Sequence, residues 1–298
     1  MKSHIQLSDQ LSDYPLWTAL VTPFDACDQV DYHSLQQLVA QQVEANNGIL
    51  LLGSTGEGLA LTLPEQKKIV EFVCALAPQV PIMVAVGGIN LAAQLEWVEF
   101  CNTQQIDALL LGSPLYAKPG VVGQTHWFDT LLSAANVPCM IYNVPGRSAV
   151  AIAPEVLTNL AHHDNLWALK EASGDIATFE AFRRALPSLA IYSGDDALLP
   201  YFAQAGAAGL VSVASNVWPR QTAEFVRRAL SGTSPNLFTT WADAISSLFA
   251  VANPIPVKTL MHLQGTLTTP HLRPPLTHLE LTNHAALNAA NEQILSWN

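Results

Sequence analysis

The sequence alternates between short apolar runs and longer amphipathic segments from Trp17 to Leu230. The apolar runs are continuous instead of alternating with polar residues, which is typical of strands in a parallel sheet covered on both faces. The amphipathic segments carry helix-start signals, such as a capping box from Thr62 to Glu65 with Pro64 in the first turn. Strand and helix patterns recur together at a spacing of roughly 25 to 30 residues, which predicts a (β/α)₈ TIM barrel.

The predicted barrel contains eight strands and eight helices, followed by further helices. An open doubly wound sheet would need Gly-x-Gly-x-x-Gly after its first strand, but Thr22-Pro23-Phe24-Asp25 stands there. The predicted strands are 17–21, 48–52, 81–86, 107–111, 138–142, 166–170, 189–193 and 209–213. The predicted barrel helices are 31–46, 62–77, 91–103, 123–135, 154–161, 176–186, 196–205 and 219–230.

The last part of the chain is predicted to be a helical appendage on the barrel. Residues 231–236 are rich in turn formers, and helices are predicted over 237–252, 256–263 and 284–297. These segments are too apolar to be fully exposed to solvent, so we expect them to pack against the rest of the protein. We therefore expect a barrel over residues 1–232 and a C-terminal helical region over 233–298.

Charge and hydropathy exclude several classes of partner. The net charge is −11, and the 13 basic residues cluster no further than adjacent pairs, which argues against nucleic acid and anionic membrane surfaces as partners. Residues 1–6 lack the apolar core of a signal peptide, and no apolar run is long enough to span a bilayer. We expect a cytoplasmic protein with four buried, reduced cysteines, since they are scattered and form no Cys-x-x-Cys.

Lys170 is the most informative single residue. It ends the apolar strand 166–170, and parallel barrels keep their chemistry at the C-terminal ends of their strands. An amine at such a place is desolvated, which favours the neutral form that attacks carbonyls and forms a Schiff base. The alternative is a lysine whose aliphatic stem merely follows the strand edge to water.

The segments after other predicted strands carry further polar groups. Gly53-Ser54-Thr55-Gly56-Glu57-Gly58 follows the second strand, and such a loop turns backbone amides and two hydroxyls toward an anion. It lacks the lysine of a nucleotide-binding loop, and the alternative is an ordinary turn with a solvated Glu57. Tyr116 follows the fourth strand, Tyr142 ends the fifth and Arg147 follows it; each alone suits a rim aromatic or a surface cation. Together with Lys170 they indicate imine chemistry on an anionic keto acid.

A catalytic metal is disfavoured. His162 and His163 end a predicted helix, His126 lies inside another, and no His-x-His occurs. We therefore expect neither a metal-dependent hydrolase nor a cofactor.

Five motifs, in order along the chain, resemble those of the dihydrodipicolinate synthase family over about residues 17–273. The resemblance implies a metal-free class I aldolase in which Lys170 forms an imine with pyruvate. The enamine then adds to aspartate semialdehyde, and the adduct closes to 4-hydroxy-tetrahydrodipicolinate for lysine and diaminopimelate biosynthesis. The motifs are Gly53–Glu57, Tyr142–Arg147, Lys170–Gly174, Ser193–Asp196 and Asn253–Lys258.

The resemblance also assigns roles to individual residues. It makes Tyr142 the proton donor and acceptor at the imine, linked through the Ser54 hydroxyl to Tyr116, which comes from the partner subunit of a tight dimer. The expected assembly is thus a homo-oligomer, a tight dimer or a tetramer. The remaining roles implied are the pyruvate carboxylate site at Thr55, the semialdehyde carboxylate site at Arg147, and a pocket wall at Gly194 and Val211.

Two alternatives stay open. Ser54 replaces the threonine usual in the synthases, and Ser-Thr-Gly-Glu also occurs in sialic acid lyases, so this loop equally suits another pyruvate-dependent lyase acting on sialic acid or a 2-keto-3-deoxy sugar acid. Arg147 favours the synthase. A non-catalytic, keto-acid-binding regulatory paralogue is the alternative of a different class, and Lys170 and Tyr142 together argue against it.

The resemblance further concerns feedback control. Lysine-inhibited members of the family bind lysine at the tight-dimer interface through histidines, an asparagine, a glutamate and a tyrosine. Only the asparagine is kept here, which implies little or no inhibition by lysine. The matching positions are Leu63, Gln66, Asn90, Gln94 and Leu115.

Overall fold

The computed structural model describes residues 10–233 and 237–297, and its strands form a closed parallel barrel in the order β1 to β8. This confirms the predicted (β/α)₈ fold. Every strand is almost entirely buried, as the continuous apolar runs require. The strands are β1 Leu16–Ala19, β2 Gly48–Leu51, β3 Ile82–Val86, β4 Ala108–Gly112, β5 Cys139–Asn143, β6 Leu166–Glu171, β7 Ala190–Ser193 and β8 Gly209–Ser212.

The α-helices between and after the strands follow the predicted segments closely. The capping box at Thr62 and Glu65 forms as predicted, and Asp31 caps the first helix by accepting the amide of Ser34. The helices are α1 Tyr32–Ala45, α2 Leu63–Ala75, α3 Leu91–Asn102, α4 Val121–Ala134, α5 Pro145–Ser148, α6 Pro154–Leu160, α7 Ile176–Ala185, α8 Leu199–Gln204, α9 Pro219–Leu230, α10 Leu237–Leu248, α11 Ile255–Leu263 and α12 Ala285–Leu295.

Three helical segments differ from the predictions, and two of the differences involve proline. The helix predicted over 196–205 is a 3₁₀ turn, Asp196–Leu198, followed by α8, because Pro200 has no backbone N–H and suits only the first turn of a helix. The helix predicted over 237–252 ends at Leu248, four residues earlier than predicted. The short helix α5, which begins at Pro145, was not predicted.

The described residues form two compact units. One contains Pro81–Val211 with the described residues up to Pro15, and therefore β3 to β7 and most of β8. Its strands pair in parallel register from β3 through β8. The predicted boundary at residue 232 is not tested by this division and stays a prediction.

The other unit contains Leu16–Val80 and the described part of Ser212–Asn298, so the C-terminal helices lie in it with β1 and β2. Its helices α9, α10 and the end of the chain meet through an aromatic cluster, in which Phe225 stacks on Trp241 at 4.1 Å between ring centroids. Trp297 lies 6.0 Å from Trp241 in the same cluster. Aromatic burial of this kind explains why the predicted appendage is apolar.

The cysteine prediction was half right. Cys101 and Cys139 are buried free thiols, but Cys27 is exposed and Cys74 is partly exposed. Cys27 lies in the turn that Asp25 closes by accepting the amides of Cys27 and Gln29, so its side chain faces water. Across residues 10–233 and 237–297, none of the helices combines the length and the hydropathy that crossing a membrane requires. Residues 1–6 and 234–236, on which two predictions fell, lie outside the described residues.

Candidate active site

Lys170 is the penultimate residue of β6, and only 5% of its surface is exposed. The register of β5 and β6 sets it opposite Tyr142 on the neighbouring strand. Its Nζ lies over the Tyr142 ring, 4.3 Å from the centroid. The strand register thus brings a buried amine over the ring face of a half-buried tyrosine, and an amine and a phenol are the two groups that proton transfer at an imine requires.

Gly194, directly after β7, makes room for the lysine side chain. A Cβ built on Gly194 would lie 2.9 Å from Lys170 Cε and 2.6 Å from Ala172 Cβ, so a larger residue would displace the lysine. The Gly194 amide donates to the Glu171 carbonyl at 2.6 Å and holds the two strand ends together. Val211, the last residue of this unit, is fully buried in β8.

Two carboxyl groups near Lys170 were not singled out from the sequence. Glu171 is fully buried and accepts a hydrogen bond of 2.6 Å from Asn143 Nδ2, yet desolvation raises its pKa. Desolvation also raises the pKa of Asp195, although the charge of Lys170 and a hydrogen bond from the Gly174 backbone oppose it. The sequence did contain a signal for both residues, because each stands at the C-terminal end of a strand, where parallel barrels place their functional groups.

Tyr116 and Arg147 lie on neighbouring segments of the same unit. The Tyr116 amide donates to the carbonyl of Ser148, the residue after Arg147 and the last of α5. Tyr116 is 86% exposed and has a φ of 69°, a left-handed conformation that is uncommon for a tyrosine. Arg147 is also exposed. Both residues are therefore accessible to solvent.

The glycine-rich loop 53–58 belongs to the other unit and is held from several sides. Asn253 Nδ2 donates to Thr55 Oγ1 at 2.9 Å, so the hydroxyl proton of the buried Thr55 is available to an acceptor such as a carboxylate. Thr22 Oγ1 donates to the Gly56 carbonyl at 2.6 Å. A Cβ on Gly58 would lie 2.0 Å from the Leu52 carbonyl oxygen, which makes glycine obligatory there. Ser54 is partly exposed.

Glu57 is buried and ion-paired, which excludes the interpretation of this loop as a turn with a solvated glutamate. Its Oε1 accepts from Lys258 Nζ at 2.6 Å and its Oε2 from the Arg273 amide at 2.9 Å, while the Lys258 side chain has no exposed surface. Desolvation lowers the pKa of Lys258 to about 8 against the opposing charge of Glu57. Lys258 Nζ also lies over the Phe24 ring, 4.3 Å from the centroid. The pair joins α11 to the loop that carries Ser54 and Thr55.

A (β/α)₈ barrel that buries a lysine at the C-terminal end of a strand defines the class of barrel proteins that can work through a lysine imine. Residues 14–294 match the model of the dihydrodipicolinate synthetase family, and the chain belongs to that family. The resemblance seen in the five motifs is thereby confirmed.

The chain is similar to curated relatives and solved structures over nearly its whole length. It is 49% identical to the 4-hydroxy-tetrahydrodipicolinate synthase of Francisella philomiragia over 95% of this chain and 96% of the relative. It is 44% identical to the enzyme of the same name from a Wolbachia strain of Culex pipiens, with the same coverage. The structure of the 4-hydroxy-tetrahydrodipicolinate synthase from Methylacidiphilum fumariolicum SolV superposes with a TM-score of 0.89 at 30% identity, covering 95% of this chain and 96% of that one.

Proposed function

We propose that this protein condenses pyruvate with aspartate semialdehyde to give 4-hydroxy-tetrahydrodipicolinate, in the biosynthesis of lysine and diaminopimelate. The observation that carries the proposal is the contact between the buried Lys170 amine and the Tyr142 ring at the ends of β6 and β5. Family membership supports the choice of substrates. No cofactor is needed, because the lysine itself provides the covalent intermediate.

In the proposed reaction, the Lys170 amine attacks the keto carbon of pyruvate and water leaves, forming an imine. Loss of a methyl proton gives the enamine, whose carbon bonds to the aldehyde carbon of aspartate semialdehyde. The amine of the adduct then displaces Lys170 and closes the ring. Tyr142 carries the protons in these steps, in a relay with Ser54 and with Tyr116.

Substrate recognition follows from the charges and donors that the chain offers. Thr55 donates to the pyruvate carboxylate, with its hydroxyl oriented by Asn253. Arg147 binds the carboxylate of the semialdehyde, and Gly194 and Val211 line the pocket. The exposed Tyr116 supports a homo-oligomer in which this residue serves the partner subunit, as a tight dimer or a tetramer. The cytoplasmic location stays a prediction.

Two assays side by side test this function. Pyruvate and aspartate semialdehyde should be consumed together with formation of the cyclic product, and sialic acid should not be cleaved. Mass spectrometry of the products distinguishes the two reactions. Cleavage of sialic acid or of a sugar acid, without condensation, would show that the protein is another pyruvate-dependent lyase. No turnover of either set of substrates would favour the non-catalytic regulatory paralogue.

Replacement of Arg147 is expected to separate the two substrates. We expect Arg147→Ala to raise KM for aspartate semialdehyde by ten- to a hundredfold, since losing a charge-assisted partner of a carboxylate costs on the order of 1.5 to 3 kcal/mol. KM for pyruvate should stay near the wild-type value. Steady-state rates with each substrate varied in turn measure both constants. Arg184→Ala, an exposed arginine on α7, is the control; equal losses for both substrates in Arg147→Ala would contradict the assignment.

Lysine is expected to inhibit the enzyme weakly or not at all. The Gln66 side chain already donates hydrogen bonds to the carbonyls of Gly58 and Leu61. Asn90, the only one of the five positions that keeps the residue of lysine-inhibited relatives, caps α3 by accepting the Ala93 amide. Gln94 offers a lysine ammonium no charged partner, which weakens binding by roughly ten- to a hundredfold.

Initial rates at fixed pyruvate and rising L-lysine check this expectation. A flat response through the millimolar range supports it. Saturable inhibition at sub-millimolar lysine would show that the site has been rebuilt from other residues.

A further inference from the structure

A cluster of three metal-ligating side chains lies outside the candidate active site. Asp129 stands on α4, and His162 and His163 follow α6 in the turn that leads into β6. His163 Nε2 lies 2.9 Å from Asp129 Oδ1, and His162 Nε2 lies 3.4 Å from the same oxygen. All three ligand atoms lie within 4.8 Å of one another. Because the histidines precede β6, the cluster belongs to the end of that strand opposite Lys170.

The hydrogen bonds of His162 leave a lone pair directed at a carboxylate. His162 Nδ1 lies 3.0 Å from the Asn159 carbonyl oxygen, which only accepts, so Nδ1 carries the proton. In the neutral ring, Nε2 then faces Asp129 Oδ1 as one acceptor facing another. A cation between the two resolves this conflict, as a second proton on the ring also would, and a ring N–H donated to a carbonyl is the usual support of a metal-bound histidine.

The two distances to Asp129 are also close to those around a small divalent ion. Ligand atoms at 2.0 to 2.1 Å from a tetrahedral metal lie about 3.3 to 3.4 Å from each other. The distance from His162 to Asp129 has this value already, and the distance from His163 to Asp129 needs to open by about 0.4 Å to reach it. The side chains of His162 and Asp129 are 64% and 43% exposed, which gives an ion a path from solvent.

We propose that Asp129, His162 and His163 form a binding site for one borderline-soft divalent cation of the Zn²⁺ class, with water in the fourth position. Two imidazoles and one carboxylate select such ions over Mg²⁺ and Ca²⁺, which require oxygen ligands. The ion joins α4 to the turn between α6 and β6. Its effect is on stability and not on the reaction, because the N-terminal face of a barrel serves stability.

Isothermal titration of the full chain, free of affinity tag and dialysed against chelator, tests the site. A Cys27→Ser background removes the exposed thiol as a competing ligand. We expect one Zn²⁺ per chain and no heat with Mg²⁺. Asp129→Asn, His162→Ala and His163→Ala should each weaken Zn²⁺ binding at least about tenfold. His33→Ala, which removes a histidine on α1, should leave it unchanged.

Thermal unfolding provides a second readout that is independent of activity. Zn²⁺ at a hundred times its Kd should raise the Tm of the parent by about 5 °C, and that of the three variants by much less. The rate of condensation should be the same with and without the ion. Equal Zn²⁺ binding by the parent and all three variants, no saturable binding, or equal binding of Mg²⁺ would each overturn the proposal.

Discussion

Sodium borohydride added together with pyruvate is expected to inactivate the protein irreversibly and to attach one reduced pyruvate to Lys170. Borohydride reduces an imine to a stable secondary amine, so only a lysine that forms the imine is trapped. Of the five lysines that the structure describes, Lys170 alone lies in a strand, and it is buried against Tyr142. Peptide mass spectrometry of the treated protein locates the modification.

A variant that lacks the Lys170 amine should lose nearly all turnover. Lys170→Ala removes the nucleophile, and loss of a covalent nucleophile costs at least about 10³-fold in kcat. Lys118→Ala, which changes an exposed loop lysine, should keep full activity and still be trapped at Lys170. A modification that maps to Lys118 or Lys258, or treated protein that stays active and unmodified, would falsify imine catalysis at this position.

The parts of the molecule that the sequence predicted well depend on local pattern. The strand that carries Lys170 was recognisable because its apolar run is too short for a helix of ordinary length and is bounded by Gly174. The helix start at Thr62 followed from its capping box. The 3₁₀ turn ahead of α8 was not predicted, although Pro200 gave a local signal for it, since proline suits only the first turn of a helix.

The parts that could not be predicted depend on residues far apart in the chain. The contact of Asn253 with Thr55 joins positions separated by 198 residues, and that of Lys258 with Glu57 joins positions separated by 201. Nothing in the local sequence of either residue indicates its partner. The left-handed conformation of Tyr116 was equally hidden, because a tyrosine does not favour it. The contact of His163 with Asp129 was missed for the same reason, since the two residues lie 34 positions apart.

The buried ion pair gives the largest expected effect on stability. Lys258→Met should lower the free energy of unfolding by about 3 to 5 kcal/mol, because it leaves the Glu57 carboxylate buried without its cation. Methionine has nearly the length of the lysine stem and keeps its packing against Phe24. Urea unfolding at a fixed protein concentration measures the change. Lys68→Met, which removes an exposed cation over the Tyr32 ring, should cost no more than about 1 kcal/mol.

The double variant Lys258→Met/Glu57→Gln decides whether the loss comes from the unpaired charge. A neutral amide at position 57 can still accept the Arg273 amide, so the double variant should recover most of the stability that Lys258→Met loses. Its coupling energy then measures the stranded charge and not lost packing. Because Glu57 belongs to the loop of Ser54 and Thr55, Lys258→Met should also raise KM for pyruvate more than it lowers kcat. A double variant as unstable as Lys258→Met would show that packing, and not the ion pair, holds this loop in place.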